Sequence, residues 1–142
     1  MSLPIKDTIS IAVVGAHLKG FPLHKDLTHR GAIFTTEAMT SPRYRLYTIE
    51  STSAPLKPGL ERVCEDSEGA SISLEIWDLP TAALASFMDT IPSPLGIGKI
   101  ELLDGSWVHG FICEPIGLVD AVEITSFGGW KAYTKYLSEQ QA

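Results

Sequence analysis

At 142 residues, the chain has the length of one domain, and we predict a single domain over residues 1–142. Hydrophobic residues make up 44% of the chain and charged residues 20%, which predicts a folded core and excludes intrinsic disorder. The formal net charge is −6 and no run of Lys or Arg occurs. Phosphate binding needs clustered positive charge, so nucleic acid is excluded as a partner.

Targeting and metal signals are also missing from the sequence. No apolar run approaches the ~18–20 residues of a membrane span, and the N-terminus MSLPIKDT lacks the pattern of a signal peptide. We therefore expect a cytoplasmic protein that does not enter a membrane. Cys64 and Cys113 are too few for a disulfide framework, and no Cys/His cluster has the spacing of zinc ligands. We expect two reduced cysteines and no metal.

The first half of the chain predicts mainly strands. Ile9–Gly15 is almost continuously apolar and β-branched, which is typical of a strand covered on both faces. Leu27–Thr36 predicts a short helical turn followed by a strand. Residues 41–50 (SPRYRLYTIE) alternate, with Tyr44, Leu46 and Thr48 on one face. The prolines and glycine of STSAPLKPGLERV predict a loop that re-enters the sheet at Leu60–Cys64.

A strand and a helix come next. Ala70–Trp77 alternates Ile72, Leu74 and Ile76 against a second face that contains Glu75, so a strand is predicted there. The segment DLPTAALASFMDTI then changes to helical spacing. Its apolar residues at i, i+3, i+4 and i+7 are Leu84, Phe87, Met88 and Ile91.

The last third predicts a hairpin and a terminal helix. Asp104-Gly105 lies between two strand-like segments and is typical of a type I′ turn. Ser126 is placed to cap a helix that carries Trp130, Tyr133 and Leu137 on one face. The chain is therefore predicted to be an α+β protein whose strands pair mostly with sequence neighbours, as in small barrels and strongly bent sheets.

The turn after the first strand, VVGAHLKGFPLH, is the first candidate for chemistry. Glycine lets the backbone approach a ligand, and the backbone amides of such a turn can bind an anion. Histidine is the side chain most readily poised to move a proton near neutral pH. A histidine in a turn is, on the other hand, often only solvated or hydrogen bonded. The predicted site residues of this turn are Val14, Gly15, Ala16, His17, Leu18 and Gly20.

Basic and glycine-rich positions elsewhere are the second set of candidates. Arg45 beside Tyr44 offers a planar fork for a carboxylate, and Lys57 precedes a Pro-Gly pair. In SPLGIGK, the Gly96 and Gly98 amides would line a small pocket with Lys99 nearby. That spacing fits neither a phosphate loop nor a dinucleotide fingerprint, and a helix stop followed by a strand start also explains it.

Several segments together resemble a known family. They are VVGAHLKGFPLHKDLTHRGA, YRLYTI, KPGLERV, IPSPLGIGKIELLDGSWVHGFICEP and EITSFGGWKAY. In this order they are similar to the C-terminal domain of allophanate hydrolase, from about Ile9 to Tyr136. The resemblance implies a γ-glutamylcyclotransferase-like fold, a small bent mixed β-barrel with short helices, in which Val14 to His17 form the turn after the first strand.

The resemblance also implies an activity. In that family the amidase half produces N-carboxycarbamate, and the C-terminal half is held to decarboxylate it in urea degradation. The sequence contains no amidase motif, so we expect a lyase that acts after a separate amidase on a small anionic substrate. The resemblance makes His17 the catalytic residue and implies no cofactor.

Two other functions stay open. A freestanding copy can serve as a non-catalytic module that binds a small carboxylate or stabilises a partner. A γ-glutamylcyclotransferase-like enzyme is the third reading, but the glutamate that follows the helix in that family is absent, since Met88-Asp89 is followed by Thr90. Glu75 or Glu101 would have to replace it. No sequence pattern defines an oligomeric state.

Overall fold

The computed structural model describes residues 7–49 and 55–141, and within them the chain forms two sheets and three α-helices. The strands are β1 (Thr8–Val13), β2 (Ile33–Met39), β3 (Tyr44–Ile49), β4 (Lys57–Arg62), β5 (Ser73–Pro80), β6 (Leu95–Glu101), β7 (Trp107–Cys113) and β8 (Val122–Glu123). The α-helices are α1 (His24–Thr28), α2 (Leu84–Met88) and α3 (Trp130–Gln140). No helix in this part of the chain is long and apolar enough to cross a membrane.

The larger sheet has the strand order β2-β5-β1-β7-β6, and the smaller one has the order β4-β3-β8. β1 lies at the centre of the larger sheet, antiparallel to β5 and parallel to β7. Ile11, Ala12 and Val13 have no exposed surface, so the predicted coverage on both faces is confirmed for the second half of β1, whereas Ser10 in its first half is exposed. Because β1 is central, the turn that follows Val13 lies at one rim of the sheet.

The two sheets share one core. Tyr44 of β3 is 2% exposed, and its hydroxyl accepts a hydrogen bond of 2.9 Å from the backbone amide of Glu101 in β6. This bond joins the smaller sheet to the larger one, and the buried phenol keeps its polar atom satisfied. The predicted alternation of β3 is confirmed, because Tyr44, Leu46 and Thr48 are all buried on one face.

The α+β class is confirmed, while the strands lie in two sheets instead of one closed barrel. β4 begins at Lys57, earlier than the predicted re-entry at Leu60, and β5 runs from Ser73 to Pro80, later than predicted. The β4 difference arises because Pro58, which was read as part of a loop, pairs with Thr48 of β3.

The helix after β5 is shorter than its pattern predicts. A 3₁₀ turn over Thr81–Ala83 leads into the five-residue α2. Phe87 is completely buried, but Met88 is 45% exposed, so its predicted place on the buried face is wrong. A five-residue helix has a narrow buried face, and in α2 only Phe87 lies on it.

Two predictions about turn and cap residues are also wrong in detail. The β6–β7 hairpin forms, but only Gly105 has a positive φ, +87°, and Asp104 does not. Hydrogen bonds from Gly105 N to Leu102 O and from Leu102 N to Ser106 O define a three-residue loop ending in a left-handed glycine, not a type I′ turn. Ser126 lies in a separate 3₁₀ turn and does not cap α3, which starts after Gly129.

Candidate functional site

The turn that follows β1 is held by its own backbone. The Leu18 amide donates to the Gly15 carbonyl at 2.9 Å, and the Leu23 amide donates to the Ala16 carbonyl at 2.8 Å. Gly20 has φ +87°, a left-handed conformation that favours glycine. The turn therefore folds back on itself and fixes the side chain of His17.

His17 is buried at the end of this turn. It is 7% exposed, and its ring lies against two aromatic rings, with centroid distances of 5.4 Å to Phe87 and 4.7 Å to Phe111. Its Nε2 atom has no hydrogen-bond partner among the described residues and lies 4.0 Å from Oδ2 of Asp26 in α1. A buried polar atom without a partner is costly, and its presence calls for an explanation.

The surroundings of His17 set its charge. Burial lowers the pKa of His17 to about 4, the Asp26 carboxylate acts in the opposite direction, and the Lys57 ammonium lowers it further. At neutral pH the imidazole of the unliganded protein is therefore uncharged. It can accept a proton when an anion arrives beside it.

A cleft runs along the His17 ring. It is narrow: the centres of water-sized spheres can occupy about 20 Å³ of it, and all the empty space up to and including its open mouth is about 350 Å³. The described residues that line it come from the turn after β1, the start of β4, the segment after α2, and β6 and β7: Val14, Gly15, Ala16, His17, Lys57, Pro58, Ile91, Pro92, Leu95 and Phe111. No aspartate or glutamate is among them.

Lys57 supplies a basic group to the cleft. It is 5% exposed, and its Nζ donates to the Pro55 carbonyl at 3.1 Å. Burial lowers the pKa of Lys57. The remaining wall is mostly apolar, so the arrangement suits a small ligand that has a negative charge at one end.

Gly15 and Pro58 bring the turn and β4 into direct contact. A Cβ on Gly15 would collide with the Cγ and Cδ atoms of the Pro58 ring, so only glycine allows this approach. His17 is two residues after Gly15, and Lys57 directly precedes Pro58. The contact between Gly15 and Pro58 therefore sets how far apart these two side chains lie.

The structure brings together five of the predicted site residues and separates the others. Val14, Gly15, Ala16, His17 and Lys57 share the cleft. The remaining six are absent from the cleft lining described above: Leu18, Gly20, Tyr44, Arg45, Gly96 and Lys99.

Each of the six has another place. Leu18 is buried beside a different groove, next to Glu75, and Gly20 is exposed. Tyr44 and Lys99 line a separate shallow groove. Arg45 donates to the Glu68 carbonyl at 2.7 Å.

Gly96, the sixth, pairs with Ile112 inside the β6–β7 hairpin. Sequence reasoning missed five wall residues. Pro58 was read as part of a loop, and the other four are Ile91, Pro92, Leu95 and Phe111. Their only signal was apolar character, which predicted core packing.

The order and packing of these strands define a class of fold. The structure aligns with a γ-glutamyl cyclotransferase with a TM-score of 0.54 at 12% identity, over 75% of this chain and 67% of that one. The chain thus has a γ-glutamylcyclotransferase-like fold, which by itself does not fix its chemistry.

The sequence places the chain more narrowly. The family described as the allophanate hydrolase C-terminal domain matches residues 9–135, and the chain belongs to this family. Urea amidolyase of Lachancea kluyveri is 42% identical over 139 residues, which are 96% of this chain and 8% of that protein. The chain thus spans less than a tenth of the length of this curated relative.

Two solved structures support the same assignment. Allophanate hydrolase of Kluyveromyces lactis is 43% identical with a TM-score of 0.88, over 94% of this chain and 22% of that chain. A uropathogenic E. coli-specific protein is 38% identical with a TM-score of 0.82, over 90% of this chain and 96% of that chain. The family's fold therefore also occurs in a chain of about this size.

Proposed function

We propose that this chain decarboxylates a small N-carboxylated dianion, N-carboxycarbamate, in urea and allophanate degradation, and that it carries no amidase activity of its own. The observation that supports this most is the buried His17, which lies beside Lys57 in an otherwise mostly apolar cleft. Membership of the allophanate hydrolase C-terminal domain family supplies the substrate class.

The chemical step requires one proton. The bond between nitrogen and one carboxylate carbon breaks, its electron pair stays on nitrogen, and the carboxylate leaves as carbon dioxide. A proton from the His17 imidazolium reaches the nitrogen, which leaves carbamate and a neutral imidazole. Solvent supplies the next proton to His17 when the next dianion binds, so atoms and charge balance over the cycle. A positioned general acid contributes about 10²–10⁴-fold.

The neutral state of His17 in the empty cleft fits this role. A dianion placed beside the ring favours the imidazolium, because opposite charges at short range stabilise each other in a poorly hydrated site. Asp26, whose Oδ2 lies 4.0 Å from Nε2, stabilises the same imidazolium. Substrate binding therefore brings a proton with it, and the acid forms only when it is needed.

The basic and the apolar walls of the cleft each face a different carboxylate of the substrate. Lys57 pairs with the carboxylate that is retained in carbamate, and a charge-assisted hydrogen bond is stronger than a neutral one. The apolar side chains of Leu95 and Phe111 face the carboxylate that leaves, where loss of charge as carbon dioxide forms is favourable. The cleft is in this way more complementary to the products than to the dianion.

An allophanate amidase would supply the substrate. This chain covers 22% of the K. lactis allophanate hydrolase chain, so the rest of that protein has no counterpart in these 142 residues. The cyclotransferase reading is less well supported, since no carboxylate lies among the described cleft residues. The non-catalytic reading predicts binding of a small dicarboxylate without turnover.

Carbon dioxide release tests the proposal. An isolated allophanate amidase domain generates N-carboxycarbamate in situ, and release is followed with the wild-type chain, with His17→Ala and without the chain. His29→Ala, an exposed histidine nearby, is the matched control. Faster release with the wild type and His29→Ala alone supports decarboxylation. Equal release in all samples, together with tight binding of malonate, an isostere of the dianion, supports the binding module instead.

A further inference from the structure

Glu75 is a buried carboxylate on the opposite side of the His17 turn from the cleft. The alternation of β5 predicts it on the polar face, yet it is 2% exposed. Its Oε1 accepts hydrogen bonds from the Lys19 amide at 2.9 Å and from the Trp77 indole at 3.1 Å. Its Oε2 forms an ion pair with Nζ of Lys131 at 3.1 Å. One side chain thus joins β5, the His17 turn and α3.

The bond to Lys19 matters most for the site, because Lys19 is two residues from His17. A second set of contacts, from Trp77 through His24, holds the end of the same turn. The Trp77 ring packs edge-on against the His24 ring at a centroid distance of 5.1 Å, and His24 Nδ1 accepts a hydrogen bond of 3.5 Å from the Gly20 amide. Glu75 therefore holds the Lys19 amide directly, and Trp77 packs on the histidine that accepts from the next amide, that of Gly20.

The turn also divides two spaces. His17 lines the cleft, whereas Leu18 lines a groove with Glu75 and Lys131. Adjacent side chains point to opposite sides, so a rotation of the turn that moved Leu18 out of the groove would withdraw His17 from the cleft. The hydrogen bond between Lys19 and Glu75 opposes this rotation.

A buried carboxylate is seldom the most stable choice for a core position, because removing its charge from water costs about as much as its partners regain, and here the partner Lys131 is half exposed. Its better-attested use is to fix one arrangement among several. We propose that Glu75 is a positioning residue that holds the His17 ring against the cleft through the Lys19 amide. Its catalytic consequence rests on the proposed function, but its effect on the turn does not.

The test compares Glu75→Ala with Glu75→Gln. Glutamine keeps the oxygen that accepts from Lys19 and Trp77, and the half-exposed Lys131 turns to solvent. Glu37→Gln is the matched control, because Glu37 is exposed, lines the same groove and pairs with Glu75 across the strands. Two readouts need no substrate: hydrogen exchange of the Lys19 amide, and the pKa of His17 from NMR of its imidazole.

In Glu75→Ala we expect the Lys19 amide to exchange at least tenfold faster and the pKa of His17 to rise from about 4 toward its ordinary value. Glu75→Gln and Glu37→Gln keep both values of the wild type. If Glu75→Ala does not fold, Glu75→Met fills the same volume without an acceptor and gives the same comparison. Unchanged exchange and an unchanged His17 pKa in the folded Ala or Met variant would overturn the inference.

Activity is the third readout and separates the two proposals. If the wild type releases carbon dioxide, Glu75→Ala lowers kcat about tenfold or more with a smaller change in KM, and Glu75→Gln restores it. If the wild type is inactive, the decarboxylase proposal fails, while the exchange and NMR results still decide the role of Glu75.

Discussion

The Nε2 atom of His17 and the Oδ2 atom of Asp26 are 4.0 Å apart, which is too long for a hydrogen bond and short enough for strong attraction once the imidazole is charged. Asp26 therefore favours the protonated state of His17, while burial keeps the His17 imidazole neutral in the empty site. Proton uptake by His17 and anion binding are coupled for this reason.

The first prediction concerns stability and pH. The pKa of His17 is about 4 in the folded protein and 6.5 ordinarily, so the unfolded chain takes up the proton first as the pH falls. Above pH 6.5, protonation of His17 does not lower the free energy of unfolding. As the pH falls toward 4, the free energy of unfolding decreases by up to about 3 kcal/mol, because the unfolded chain binds this proton more tightly. Urea unfolding of the wild type and His17→Asn across this range should show their stability difference changing by this amount. A constant difference would contradict it.

The second prediction concerns Asp26. Asp26→Asn removes the charge that favours the His17 imidazolium, so the pKa of His17 falls further and malonate binds about tenfold more weakly at pH 7. Isothermal titration calorimetry measures this affinity. Asp89→Asn, another acidic residue, exposed at the end of α2, should bind malonate as the wild type does. Tighter binding by Asp26→Asn would mean that Asp26 mainly repels the anion.

The third prediction concerns Lys57. Lys57→Met retains a long apolar stem but removes the charge, so the malonate Kd rises about ten- to a hundredfold. The pKa of His17 rises as well, because Lys57 lowers it in the wild type. Lys99→Met is the control, since Lys99 lines the separate groove with Tyr44. An equal loss of affinity in both variants would show that the anion is held by overall charge and not by the cleft.

The fourth prediction concerns the contact between the turn and β4. Gly15→Ala places a Cβ into the Pro58 ring, and the forced shift lowers the free energy of unfolding by about 1–3 kcal/mol. Gly96→Ala is the control, because a Cβ there meets no atom within 4 Å. Thermal unfolding compares the two variants. Wild-type stability in Gly15→Ala would mean that the turn and β4 separate easily, and that they do not fix the distance from His17 to Lys57.

Local patterns predicted the parts of this fold that depend on neighbours in sequence. The apolar run of β1, the alternation of β3 and the β6–β7 hairpin follow from side-chain periodicity and turn chemistry. The turn with His17 was identified as a candidate site in the same way. These features need no knowledge of what packs against them.

The rest depends on contacts between distant segments. Lys57 meets His17 only because Pro58 pairs with Thr48, and a proline-glycine pair in sequence predicts a loop. Phe111 reaches the site because β7 lies parallel to β1, a pairing that no local pattern specifies. The burial of Glu75 could not be predicted from sequence for a similar reason, because its partner Lys131 lies far away in the chain, in the last helix.

The initial rate of carbon dioxide release from N-carboxycarbamate decides whether His17 is a general acid for decarboxylation. It is compared for the wild-type chain, His17→Asn and His29→Asn at neutral pH, with spontaneous release in the absence of the chain subtracted. If His17 is the general acid, release with His17→Asn is slower than with the wild type by about 10²-fold or more, while His29→Asn is unaffected. Equal rates for the wild type and His17→Asn would contradict it.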